Sequence, residues 1–133
     1  MKPTAVFWPL VAAVLLAWNG CAKKSDVRTQ TAALEKVFPG LAAAVAAQNQ
    51  AAGQAVPEDS KACVVAAVSA ASRSDFAVGV ILLSQAVRIP GLSPEQIMAV
   101  QELRRAWVID LTNRAAKGDE SAKAALAAIQ DAR

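Results

Sequence analysis

The 133-residue chain has no histidine and no tyrosine, only two cysteines, and six glycines that never gather into a loop motif. Each scarcity removes a class of chemistry. Without histidine there is no imidazole base, no serine–histidine triad and no histidine metal site. Cys21 and Cys63 stand 42 positions apart, which makes no zinc-ligand pattern. Scattered glycines cannot cradle a phosphate, and neither Ser60 with Lys61 nor Ser121 with Lys123 has the spacing of a serine–lysine nucleophile. The carboxylate pairs Glu58–Asp59 and Asp119–Glu120 fall at expected helix starts, where the helix dipole accounts for them. The expectation is a non-catalytic protein without cofactor or metal.

What the chain has in abundance is alanine, 32 residues of it. Alanine favours helix and buries little area, so an overall hydrophobic content of 55% describes a thin core. From Ala22 onward, Leu, Ile, Val and Phe number 27 of 112 residues, just above the level of roughly 20% below which chains stay disordered. Part of the chain is therefore expected to lack a fold of its own. From the same point, 13 basic residues face 11 acidic ones, most with an opposite charge within four positions. Phe38, Phe76 and Trp107 are the only aromatics there. Dispersed charge and scarce aromatics argue against nucleic acid and for a solvated surface.

Lys2 precedes an uncharged run from Ala5 to Ala17, interrupted by Pro9 and followed by Gly20. Thirteen helical residues rise about 20 Å, short of a hydrocarbon core of about 30 Å. This is the plan of a secretory signal covering residues 1–20. Ala17, Trp18, Asn19, Gly20 and Cys21 resemble the lipobox of bacterial lipoproteins, with Trp18 where that family commonly has leucine and Asn19 where it prefers a small or apolar residue. The resemblance implies lipidation of Cys21, anchoring to a membrane and, since no aspartate directly follows the cysteine, an outer-membrane position facing the periplasm. Two other readings stand beside it: cleavage after Ala22 to release a soluble periplasmic protein, and an uncleaved anchor. Cys63 is expected as a small buried hydrophobe, with a Cys21–Cys63 disulfide as the alternative if Cys21 keeps its thiol.

Residues 21–57 read as a tether with a short helix: Leu34, Val37 and Phe38 share a face, Pro39-Gly40 interrupts it, and Leu41 to Ala55 is an alanine and glutamine run. A kinked helix is the competing reading, because Leu41 and Val45 continue the same face. Residues 58–133 form the expected folded domain. One helix from Glu58 to Ser72 carries Val64, Ala67, Val68 and Ala71; a second, capped by Ser74 or Asp75, carries Phe76, Val80, Leu83 and Val87 to Pro90-Gly91. Ser93-Pro94-Glu95-Gln96 is a capping box with proline at the first helical position. It opens a long helix with Ile97, Val100, Leu103, Trp107 and Leu111 on one face and Gln101, Glu102 and Arg105 away from it. Gly118 and Asp119 separate this from a last helix carrying Ala122, Ala125, Leu126 and Ile129.

The fold class that follows is all-α, with two antiparallel helical hairpins after a signal peptide and a partly disordered tether. Asp75, Phe76, Gly79, Leu83, Ala86 and Pro90, and again Ala115, Gly118, Ala122 and Leu126, resemble tetratricopeptide-like repeats. The resemblance implies helix-pair packing over about half of the exported chain. Gly79, within a helix, is expected to permit close packing, with ligand approach as the alternative; Trp107 is expected in the core, with a partner-binding role as the alternative. The expected function is an envelope protein-interaction or structural module. A periplasmic carrier of a small apolar ligand comes second and an enzyme third. An open groove with polar edges distinguishes the first from the closed apolar cavity of the second.

Overall fold

A computed structural model describes residues 27–51 and 57–133, and among these the chain is all-helical. Six helices follow one another: α1 (Val27–Glu35), α2 (Leu41–Gln50), α3 (Ser60–Ser72), α4 (Phe76–Arg88), α5 (Pro94–Ala116) and α6 (Glu120–Asp131). The pairs α3/α4 and α5/α6 are the two antiparallel hairpins, and α4 packs on both α5 and α6. No helix among the described residues is long and apolar enough to cross a membrane.

Local chemistry explains each boundary. Asp59, Asp75 and Asp119 accept from the backbone N–H groups of Ala62, Val78 and Ala122 and so cap α3, α4 and α6. The acids at these helix starts serve the helix ends. Both hairpins turn the same way. After α3, Ser74 takes the left-handed conformation at φ 67°, its N–H donates to Ala71 and that of Asp75 donates to Ala70. After α5, Gly118 does so at φ 92°, with Gly118 donating to Ala115 and Asp119 to Arg114. Each is a Schellman turn followed at once by an aspartate cap. Arg114 also grips Asp119, with Nη2 2.7 Å from the carboxylate, and this contact first, then the Ala122 amide, holds the Asp119 carboxyl below its usual range.

Ahead of α5, Ser93 Oγ accepts from Gln96 N–H at 3.2 Å while Gln96 Oε1 accepts from Ser93 N–H at 3.0 Å, completing the capping box. The same glutamine donates through Nε2 to the carbonyl of Val37 at 2.8 Å, which ties the start of α5 to the turn between α1 and α2.

Residues 21–57, read from the sequence as a tether with a short helix, contain more helix than that reading gives. Residues 41–50 form α2, packed on α3, with Leu41 and Val45 buried in the same core as Leu34 and Phe38. Pro39-Gly40 redirects the chain rather than ending its structure, because Gly40 adopts φ 83° and the Glu35 carboxylate accepts from the N–H groups of Gly40 and Ala42. The glutamate caps α2 from the preceding helix. At the far end Ser69 donates to Asn49 Oδ1, and Arg73 reaches Ser69 Oγ at 3.2 Å. The remainder of the tether, residues 21–26 and 52–56, lies outside the described residues.

Sandwiched between α2 and α4, α3 buries far more than one stripe: Cys63, Val64, Ala66, Ala67, Val68, Ala70 and Ala71 are all inside. Small side chains make this cheap, since alanine lets neighbouring helices approach closely. The helix also begins later than its sequence suggests, at Ser60, because Asp59 is its cap and Glu58 precedes it.

Candidate functional site

Cys21 and the signal segment lie outside the described residues. Cys63 has no exposed surface; burial first, and the Asp59 carboxylate second, push its thiol up, so it is a protonated core group at neutral pH.

Gly79 and Trp107 turn out to be neighbours. Trp107 is 1% exposed and meets Phe76 edge to face at a ring separation of 5.8 Å. Its indole N–H donates to Gln30 Oε1 on α1, so the only polar atom of the ring is satisfied. Gly79 lies under the same ring: a Cβ there would stand 2.9 Å from Trp107 Cζ3 and 3.2 Å from the Ala67 carbonyl oxygen. Both residues are therefore core elements at the junction of α3, α4 and α5, and neither presents a surface to a ligand.

The concave surface lies elsewhere. A solvent-open groove of about 980 Å³ runs between α4 and α5 and is closed at one side by the end of α6. Its α4 wall carries Ile81, Ser84, Gln85 and Arg88, which recur at helical spacing. Along α5 the matching wall is Met98, Gln101, Glu102, Arg105 and Ile109, the face turned away from Val100, Leu103, Trp107 and Leu111. Arg104 and Arg133 complete the basic rim, and Arg104 Nη1 lies 3.4 Å from Ser84 Oγ across the groove.

Two features mark this groove. Four arginines, Arg88, Arg104, Arg105 and Arg133, are exposed along it, and among the described residues none of them stands in a salt bridge. Between them lie Met98, 71% exposed, and Ile109, 50% exposed, two of the three large apolar side chains exposed among the described residues. Dispersed along the sequence, the charges looked like a solvated, balanced surface. The fold gathers four arginines from α4, α5 and the residues just after α6 around one glutamate, and only the packing of α4, α5 and α6 shows this. Periodicity alone had placed Gln101, Glu102 and Arg105 off the core face of α5, which was the one available signal.

No family model, curated protein or solved structure matches the chain. The groove must therefore be read from its own chemistry.

Proposed function

We propose that this protein is a non-catalytic interaction module of the cell envelope, held at a membrane by lipid on Cys21 and offering the α4–α5 groove to a protein partner. The observation that carries this reading is the open groove with arginine and glutamine edges and apolar residues between them. Protein interfaces combine these features: an apolar centre within a polar rim, with arginine and methionine more frequent than on the rest of the surface. A carrier of a small apolar ligand would instead enclose it in a largely apolar cavity. The membrane part of the proposal rests on the lipobox-like residues ending in Gly20-Cys21, with an outer-membrane position favoured and a soluble periplasmic protein as the alternative.

Placing a photoreactive side chain at Ile109 in the intact organism tests the interaction. Protein adducts that disappear when the same group replaces exposed Asn113, which does not line the groove, are the expected result. Adducts confined to lipid or small molecules would refute it. Intact-mass measurement of the membrane-extracted protein tests the anchor: a chain beginning at Cys21 with added lipid is expected, and an unmodified chain beginning at Lys23 overturns it.

A further inference from the structure

The basic balance of this chain is localised. The whole sequence has 14 Lys and Arg against 11 Asp and Glu. Groove side chains contribute four arginines and one glutamate, a net +3, which equals the formal net charge of the entire chain. Outside the groove, ten basic residues face ten acidic ones. Such a concentration in a concavity focuses the field and attracts an anionic partner.

From this geometry we infer that the groove receives an acidic amphipathic helix from another protein, its apolar stripe on Met98, Val108 and Ile109 and its carboxylates on Arg88, Arg104, Arg105 and Arg133. The inference deepens the interaction-module reading and rests on it. Four observations select this occupant. First, the walls are two helices, and the described residues contain no strand whose edge an extended peptide could join, which leaves the helix-in-groove mode. Second, the exposed methionine and isoleucine require an apolar partner surface; methionine in particular adapts to varied side chains. Third, the groove lining contains no aromatic ring on which a nucleobase could stack. Fourth, the chain cannot supply the occupant. The residues outside the described ones carry Lys2, Lys23, Lys24 and Asp26, a net positive set, and a symmetric dimer through the groove would oppose two +3 surfaces. A planar anionic membrane matches the charge but does not enter a concavity between helices.

The test uses the full exported protein and a labelled synthetic peptide with leucine at helical spacing and glutamate between. Fluorescence anisotropy should show binding that weakens with salt, and circular dichroism should show the peptide gaining helix. Arg105→Glu and Arg88→Glu should each weaken binding by about tenfold or more, as expected when like charges are juxtaposed. Arg105→Lys should retain most of it. Lys117→Glu makes the same charge change at an exposed site outside the groove and should leave affinity unchanged. Equal binding of a peptide with lysine in place of glutamate would overturn the inference, as would indifference to Arg88→Glu and Arg105→Glu. Stronger, groove-dependent binding of single-stranded DNA or phosphatidylglycerol vesicles would overturn it too. Mapping the segment crosslinked from Ile109 separates the two levels of the argument. An acidic, apolar-striped segment supports the inference; a neutral or basic one defeats it while leaving the interaction module standing; the absence of protein adducts defeats both.

Discussion

Gly79 and Trp107 act as one unit, and the cost of changing either depends on the other. Alanine in place of glycine within a helix ordinarily gains about 1 kcal/mol. Here the added methyl would press on an indole already backed by Phe76, with the Ala67 carbonyl on its other flank, so nothing nearby is free to yield. Overpacking of this kind costs about 1–3 kcal/mol. Gly79→Ala should therefore destabilise the protein in urea unfolding, against its helix propensity. Trp107→Ala should cost about 3–5 kcal/mol. In that background the indole contact is gone and only the 3.2 Å approach to the Ala67 carbonyl oxygen remains, so Gly79→Ala should cost clearly less than it does beside Trp107. Equal losses in both backgrounds would mean that the indole is not what makes position 79 a glycine. The sequence shows Trp107 in phase with Leu103 and Leu111, and shows a glycine where a helix would prefer alanine. What it lacks is the pairing of two helices that sets one residue beneath the other.

Elements were legible to the extent that they carry capping chemistry or large apolar residues. The Ser93 to Gln96 box and the aspartate caps are written in adjacent residues, so α4, α5 and α6 emerge with their starts in place. For α2 the signal is weak, because eight of its ten residues are alanine, glutamine or asparagine and its cap, Glu35, belongs to the preceding helix. The burial of Leu41 and Val45 makes α2 part of the fold. Leu41→Ala should cost about 2–5 kcal/mol; the unchanged melting temperature of a true tether would contradict the packing seen here. The two Schellman turns offer a comparison within one molecule. Ser74 holds the left-handed position that glycine holds at 118, and that conformation costs a residue with a Cβ about 1–2 kcal/mol. Ser74→Gly should raise the melting temperature, and Gly118→Ser should lower it. A loss from Ser74→Gly would show that the extra freedom of glycine in the unfolded chain outweighs the relief of strain.

At the scale of the molecule, the groove is lined from one part of the bundle, α4, α5 and the end of α6, which also carries Leu83, Trp107 and Leu111 in the core. None of the groove-lining residues comes from α1, α2 or α3, although these helices supply Leu34, Phe38, Leu41, Val45 and most of the α3 face to the core. Sequence reasoning reaches the core because burial follows helical periodicity. The groove escapes it because Arg88, Arg104, Arg105 and Arg133 belong to three different segments, and exposed arginines at helical spacing look alike whether they face bulk water or a concavity. The separation of the groove from the α1 part of the core is itself measurable. Leu34→Ala removes a buried side chain on α1 and should cost about 2–5 kcal/mol, while leaving affinity for the acidic peptide unchanged below the melting transition. Arg105→Glu alters an exposed side chain without a salt bridge and should shift stability by no more than about 0.5 kcal/mol, while reducing that affinity. Melting and peptide binding, measured on the same two variants, should thus respond in opposite pattern. If Leu34→Ala also weakened binding at temperatures where the protein stays folded, α1 would be coupled to the groove through Trp107, whose indole reaches Gln30 on one side while α5 carries Arg105 on another. If neither variant changed binding, the arginines would be ordinary surface charge and the partner would have to dock elsewhere.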